Sequence, residues 1–173
     1  MTPRGFALFT TAIGTCGIAW SDRGIVAVQL PEHDEDATRG RLARRSAGAR
    51  EASPPSEVQR AIDAIVSLLA GGSSDLSFIT LDMEGVPDFH RRVYELARTI
   101  LPGATLSYGD IAARLGDPRS ARAVGQALGR NPFVIVVPCH RVLAAGGKTG
   151  GFSANGGQAT KLTLLAIEGA QLF

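Results

Sequence analysis

Cys139 is the residue in this chain best placed to do chemistry, sitting in the run Val137-Pro138-Cys139-His140-Arg141-Val142. The thiolate, not the thiol, is the nucleophile, and neighbouring cations lower a thiol from its usual pKa of ~8.5. His140 and Arg141 would supply that charge, so the run predicts a reactive thiol. Adjacent side chains on a regular strand point to opposite faces, so Cys139 and His140 cannot pair simply as neighbours. Pro138 is expected to disrupt the strand here, and one bridging water would join thiol to imidazole. The other cysteine, Cys16, lies in an apolar stretch with no acid–base neighbour and reads as a small core hydrophobe. Two cysteines allow at most one disulfide, so free thiols in a reducing compartment are expected.

The flanking segments must hold that thiol. Phe133 to Val137 is a continuous apolar stretch rich in β-branched residues, expected as a buried strand leading straight into Pro138. Behind the thiol, Ala144 to Gly157 carries Gly146, Gly147, Gly150, Gly151, Gly156 and Gly157, a loop able to fold over a substrate. A closing helix from Gln158 to Ile167 is expected to turn Leu162, Leu165 and Ala166 to one face. Upstream, Pro87 opens a helix marked by Phe89, Val93, Leu96, Ala97 and Ile100, which Pro102-Gly103 ends. Ser107 is the expected N-cap of a short helix through Leu115. The turn Gly116-Asp117-Pro118 and a second helix from about Arg119 to Leu128 complete the outline of a helix-turn-helix. Asn131-Pro132 breaks that second helix. The residues alone therefore give a Cys–His nucleophile beside a helix-turn-helix, an arrangement that would equally suit a hydrolase.

The first part of the chain reads differently. Phe6 to Thr11, Cys16 to Trp20 and Gly24 to Leu30 are expected as an antiparallel meander, with Ser21-Asp22-Arg23-Gly24 as one of its turns. His33 to Pro55 is highly charged, an acidic cluster followed by Arg39, Arg41, Arg44, Arg45 and Arg50, expected as a solvated helix or a mobile loop. Ser56 is the expected cap of a helix with Val58, Ala61, Ile62, Ile65, Leu68 and Leu69 at helical spacing, stopped by Gly71-Gly72. Leu76 to Leu81 is expected as a further strand. The fold class that follows is an α/β N-terminal domain (a small antiparallel sheet with a helix) over 1–82, carrying the charged loop 33–55. A mainly α, winged-helix-like helix-turn-helix domain would occupy 86–173.

The charge balance supports a division of labour. Residues 1–85 carry 8 Lys/Arg against 11 Asp/Glu, net −3, whereas 86–173 carry 10 against 5, net +5. The second half is the one suited to a polyanion. With 45% hydrophobic and 20% charged residues the composition is that of a soluble globular protein. No apolar run approaches the ~20 residues of a membrane helix, and no secretory layout opens the sequence, so a cytoplasmic protein without a membrane partner is expected.

Pro138-Cys139-His140-Arg141-Val142 resembles the signature of the O6-alkylguanine-DNA alkyltransferases, also called methylated-DNA–protein-cysteine methyltransferases. Ser107-Tyr108-Gly109-Asp110-Ile111-Ala112, Ala121-Arg122-Ala123-Val124-Gly125, Arg130-Asn131-Pro132 and Leu164-Leu165-Ala166-Ile167-Glu168-Gly169 match the family's order and spacing. The match runs from about Phe89 to Gly169, and the first 80 residues match only in layout. The resemblance implies direct transfer of an alkyl group from O6-alkylguanine in double-stranded DNA, with O4-alkylthymine as a further substrate, onto Cys139, which is consumed. It implies no organic cofactor, and a monomer. Chemistry on a base requires the nucleotide to leave the stack. Arg122 would fill the space left behind, its planar guanidinium replacing stacking. Tyr108 would crowd the 3′ phosphate, and Asn131 would brace the active-site turn. His140 and Glu168 would draw the proton from Cys139, a base oriented by a carboxylate. Ser107, Ala121, Ala123, Gly125 and Arg130 are expected at the DNA face. Val137, Tyr108, Ser153, Phe152, Pro138 and Arg141 are expected around the substrate, with the Val137 and Cys139 carbonyls and Ser153 reading the guanine edge.

Some positions depart from the family pattern. Phe152 stands where many members have tyrosine, Ala154-Asn155 lengthen the substrate loop, and Tyr94 replaces a frequent tryptophan. Glu168 also lies near a helix C-terminus, where the macrodipole prefers a cation, which favours a paired role. No metal is expected: a structural zinc needs four Cys/His ligands, and beyond the active-site pair only Cys16, His33 and His90 remain. Three other readings make different predictions. A lesion-binding protein would hold alkylguanine without repairing it. A helix-turn-helix regulator would prefer a DNA sequence. A cysteine hydrolase would turn over repeatedly.

Overall fold

The computed structural model describes residues 5–152 and 154–170. Its contacts group into two units, one of 1–84 with 132–136 and one of 85–131 with 137–173. The partition at 82–86 expected from the sequence therefore needs one correction, because 132–136 packs with the first unit.

In the first unit, strands β1 (Gly5–Thr11), β2 (Gly14–Ser21) and β3 (Gly24–Gln29) form the antiparallel meander, and β4 (Arg50–Glu51) adds to β1 in parallel, giving the order β3-β2-β1-β4. Pairing of Ile18 with Val28 and of Ala19 with Ala27 sends successive pairs to opposite faces. All four residues are buried, so both faces are covered. Helix α1 (Glu35–Arg45) covers one of them, with Leu42 against Phe6, Ala19 and Ala27. It crosses so closely over Gly17 that a Cβ there would lie 2.5 Å from Leu42 Cδ2. Asp34 caps α1 by accepting from the Ala37 amide, and Glu35 and Asp36 in its first turn and Arg44 and Arg45 in its last suit the macrodipole. The charged run thus contains a folded helix, in which Thr38 and Leu42 are buried and the charged side chains lie at the surface. Arg45 donates to the Val28 carbonyl (3.2 Å), Gln29 Oε1 (2.6 Å) and the Pro132 carbonyl (3.2 Å).

Helix α2 (Ser56–Leu69) packs along β1 and buries the six apolar residues expected of it. Ser56 is its first helical residue, not its cap. Pro55 precedes the helix and no side chain caps it. Leu76 to Leu81 is likewise not a strand. Only Leu81 bridges the sheet, to Ile25, with the Ile25 amide donating to Thr80 O and the Asp82 amide to Ile25 O. Phe133 to Val137 departs from expectation for a related reason. Phe133 bridges Val28, but the chain then turns, with Ile135 at φ 74°. A β-branched residue in the left-handed region is strained, by roughly 1–3 kcal/mol, and persists only where the surroundings impose it. Phe133, Val134, Ile135 and Val136 are all buried. A run buried on every side carries no period from which turn and strand can be told apart.

The second unit is mainly helical. Helix α3 (Asp88–Ala97) buries Val93, Tyr94 and Ala97, and the Tyr94 hydroxyl donates to the Ala127 carbonyl at 2.7 Å. Strand β5 (Leu106–Ser107) leads into α4 (Tyr108–Arg114), which starts with a full capping box. Ser107 Oγ accepts from the Asp110 amide and the Asp110 carboxylate accepts from the Ser107 amide, both at 2.9 Å. A 3-10 turn, Pro118–Ser120, joins α4 to α5 (Ala121–Gly129), completing the helix-turn-helix. Strand β6 (Val142–Leu143) pairs in parallel with β5, and α6 (Gly157–Ile167) ends the described fold. Among the described residues, no helix is long and apolar enough to cross a membrane.

Candidate functional site

Cys139 lies in a 3-10 turn, Cys139–Arg141, rather than on a strand. That turn resolves the neighbour problem, because 3-10 backbone does not send successive side chains to opposite faces. Asn131 braces it by donating from Nδ2 to the Val137 carbonyl at 2.8 Å. The Cys139 amide donates to the same carbonyl at 2.8 Å. Val137 O thus accepts two hydrogen bonds within the turn. The Cys139 carbonyl accepts from the Val142 amide.

The β5–β6 ladder, with Leu106 opposite Val142 and Ser107 opposite Leu143, ties this turn to the start of α4 and so to Tyr108. A cavity of about 520 Å³ lies alongside, lined by Tyr108, Ala121, Arg122, Gly125, Leu128, Gly129, Cys139, Gly151 and Phe152. Its size suits a small organic ligand. Gly150 approaches Tyr108 so closely that a Cβ there would meet the hydroxyl at 2.8 Å. Its φ of 71° also demands glycine.

Behind the thiol, three buried groups interlock. Glu168 accepts from Arg141 Nε (2.9 Å) and Nη2 (2.7 Å) and is 3.0 Å from His140 Nε2. Arg141 Nη1 also donates to the Ile100 carbonyl at 2.6 Å. The His140, Arg141 and Glu168 side chains are only 1%, 7% and 3% exposed. Burial alone would raise the Glu168 carboxyl, but hydrogen bonds from Arg141 and His140, together with their charge, hold it at about 2. Burial lowers the His140 imidazole below its usual value, outweighing the opposing pull of Glu168. A neutral imidazole beside that carboxylate carries its proton on Nε2, leaving Nδ1 as an acceptor. Among the described residues, Nδ1 is the buried side-chain nitrogen with no partner.

Burial raises the Cys139 thiol, and the Asn131 hydrogen bond and the charge of Lys161 only partly offset this. The expectation of a thiol lowered by its cationic neighbours is therefore corrected: His140 is neutral, Arg141 is neutralised by Glu168, and desolvation wins. Cys139 rests protonated and needs a base at the moment of reaction. Cys16, also buried, is pushed up to about 11 and has Thr11 Oγ1 at 3.7 Å, an inert core thiol.

The structure gathers Cys139, Tyr108, Ala121, Arg122, Gly125 and Phe152 around one cavity, with Asn131, His140 and Glu168 supporting the turn. Arg141 and Pro138 do not line it. Arg141 is the buried partner of Glu168, and Pro138 precedes the turn. Ser107 is occupied as a cap, while Ala123 and Arg130 sit on α5 and at its end, outside the cavity lining. Ser153 lies outside the described residues. Sequence reasoning missed Lys161, which is fully buried and donates to the Val142 carbonyl at 2.7 Å and the Gly151 carbonyl at 3.3 Å. The expected face of α6 was one residue out of register. Leu162 is 41% exposed, and the buried stripe is Lys161, Leu164 and Leu165, continued by the Glu168 side chain. Counting back seven from Glu168 would have found Lys161.

The second unit thus defines a class: a helix-turn-helix protein carrying a buried nucleophile beside a ligand-sized cavity. Comparison with known proteins narrows it. Residues 88–170 match the family model for the 6-O-methylguanine DNA methyltransferase DNA-binding domain. A methylated-DNA–protein-cysteine methyltransferase of Methanothermobacter thermautotrophicus is 36% identical over 157 residues, 90% of this chain and 80% of that protein. The crystal structure of Mycobacterium tuberculosis O6-methylguanine methyltransferase superposes with a TM-score of 0.74 at 33% identity, over 95% of this chain and 92% of that one. A structure of the M. tuberculosis protein in complex with DNA gives a TM-score of 0.72 at 31% identity with the same coverage. The chain belongs to the methylated-DNA–protein-cysteine methyltransferase family.

Proposed function

We propose that this protein repairs DNA by direct reversal, moving the alkyl group of O6-alkylguanine in duplex DNA onto Cys139. The observation that carries the mechanism is the free acceptor on His140. Nε2 is held by Glu168, and Nδ1 is buried without a partner. In the proposed sequence the Cys139 proton passes to Nδ1, through one bridging water, and the imidazolium is stabilised by Glu168. The thiolate then attacks the carbon on O6 in line. A carbon–sulfur bond forms as the carbon–oxygen bond breaks, the electron pair leaves with guanine, and guanine takes up a proton. The product is a thioether that water does not cleave under mild conditions, so each molecule acts once, as a monomer in the cytoplasm, with no cofactor in the step.

The helix-turn-helix delivers the substrate. Arg122, exposed at the second position of α5 and lining the cavity, would occupy the gap left by the flipped nucleotide. Tyr108 lines the same cavity, at the start of α4. The lesion-binding alternative predicts an unmodified thiol, and a hydrolase predicts recovery of Cys139 after each cycle. Excess protein mixed with an O6-methylguanine duplex should gain one methyl, on the peptide containing Cys139, by mass spectrometry. An intact lesion with unmodified Cys139 would reject the proposal. Arg122→Ala should slow repair in duplex DNA by about tenfold or more while leaving reaction with a free base such as O6-benzylguanine nearly unchanged, because only the duplex needs the gap filled. Equal slowing of both would remove that role.

A further inference from the structure

Segment 132–136 leads from the end of α5 to the Cys139 turn, yet it packs with the first unit. Two bonds hold its leading residue there. The Pro132 carbonyl accepts from the Val28 amide at 2.9 Å and from Arg45 Nη2 at 3.2 Å. Val28 belongs to β3, the edge strand of the sheet, and the same strand supplies the acceptors of Arg45 Nη1: the Val28 carbonyl at 3.2 Å and Gln29 Oε1 at 2.6 Å. Gln29 is itself buried, with Nε2 donating to the Leu30 carbonyl at 2.9 Å. One guanidinium, through the fixed fork of its donors, thus joins the last turn of α1, the edge of β3 and Pro132.

The residues on either side of this segment are tied to each other. Asn131 donates from Nδ2 to the Val137 carbonyl, and the Cys139 amide donates to that carbonyl too, both at 2.8 Å. Residues 131–137 therefore form a short loop, closed at its base by the bonds that shape the Cys139 turn. Inside it Ile135 keeps φ 74°, a conformation that persists only where its surroundings hold it. Phe133 to Val137 are buried, whereas Pro132 is half-buried and Arg45 is exposed. Release at Pro132 would let the strain relax through the loop into its base, and the polar bonds to its carbonyl are what prevent this.

We propose that Arg45 is a positioning residue for the transfer: it clamps the Pro132 carbonyl to β3 and so fixes loop 131–137 and the turn that carries Cys139. In-line attack demands that placement, since a misplacement of about 1 Å can cost a hundredfold in rate. Arg45 has no place in the cavity lining, and the walls formed by Tyr108, Arg122, Gly125 and Phe152 lie outside the loop. The clamp should therefore govern the rate of transfer and leave the affinity for the base unchanged. This rests on the alkyl-transfer reading for its reaction but not for its geometry.

The test uses the full chain carrying Arg45→Met, which keeps the stem and removes the donors. Because Arg45 is exposed, the variant should fold. Arg44→Met is the control: Arg44 lies in the same last turn of α1, is also exposed and makes none of the three bonds, so only the lost charge is shared. Two measurements are made: single-turnover transfer from O6-benzylguanine over a range of concentrations, and hydrogen exchange of the Val28 and Cys139 amides. In Arg45→Met the rate at saturation should fall about tenfold, with the half-saturating concentration within about twofold of the unmodified chain. Both amides should exchange at least about fivefold faster. Arg44→Met should match the unmodified chain in every respect. A purely structural role would lower overall stability and leave the rate at saturation unchanged, and that result would overturn the proposal. So would a rise in half-saturating concentration that accounts for the whole loss, or equal slowing in Arg44→Met. Failure of the unmodified chain to accept any alkyl group would sink the repair function and leave the clamp to the exchange of the Cys139 amide: faster exchange in Arg45→Met alone upholds it, and unchanged exchange overturns it.

Discussion

Cys139→Ser is expected to abolish alkyl transfer, lowering the rate by at least about four orders of magnitude, while binding to an O6-methylguanine duplex stays within about twofold. The separation follows from where the residue sits. Cys139 is 5% exposed on the floor of the cavity, whereas Arg122 and the helix-turn-helix that would meet the DNA lie around it. Serine fits the space, and its hydroxyl can satisfy the same neighbours, so the fold should lose no more than about 1 kcal/mol. What is lost is the acceptor. A hydroxyl is a far weaker nucleophile than a thiolate and holds its proton against a neutral imidazole. The variant should therefore behave as a lesion-binding protein, which makes it the direct test between repair and mere recognition. Single-turnover transfer and equilibrium binding on one preparation read both quantities. Residual methyl transfer near the unmodified rate would show that another residue is the acceptor.

Glu168→Gln should have the largest effect on stability. It removes a buried carboxylate that two donors of Arg141 and His140 Nε2 converge on, and it leaves the Arg141 charge uncompensated at 7% side-chain exposure. Breaking a buried pair from one side costs about 3–5 kcal/mol. Transfer should also slow by about a hundredfold or more, because the imidazolium formed on His140 loses its stabilising charge. The pH dependence gives the change a signature. Glu168 titrates near 4.5 when unfolded and is held at about 2 in the fold, so between those values the unfolded chain binds the proton more strongly. Its contribution, about 3 kcal/mol, is fully present above the unfolded value and is lost as pH falls through the folded one. Denaturant unfolding of the unmodified protein should therefore show stability falling from about pH 5 towards pH 2, and the glutamine variant should lose that part of the slope. An equal slope in both would mean that Glu168 is not the group that titrates.

The chemistry was legible because it is written in contiguous residues. Pro138 to Val142 marks the nucleophile and the histidine proposed as its base, and the helix signals around Ser107 and Gly116 locate the helix-turn-helix. Capping is a local interaction, so Ser107 and Asp110 could be read directly. What failed was mostly where burial is complete. Phe133 to Val137 has no polar face to mark its conformation, and the left-handed Ile135 is imposed by packing that no window of sequence contains. Lys161 was passed over because a lysine is expected outside, and that assumption shifted the whole apolar stripe of α6 by one residue. Arg45 in the charged run stays at the surface as expected, but its hydrogen bonds to Val28 O, Gln29 Oε1 and Pro132 O join segments that no sequence window brings together.

The sequence by itself determined the identity of the nucleophile, the class of reaction and the elements on either side. These depend on residue type and on spacing along one backbone. The tertiary structure alone decided the state of that nucleophile. Charge beside Cys139 in sequence suggested an activated thiolate, but desolvation depends on atoms brought in from distant segments, and Arg141 is spent on Glu168, 27 residues later. Burial therefore holds the thiol above its usual value, and in the proposed mechanism the buried Nδ1 of His140, without a partner among the described residues, is what receives its proton.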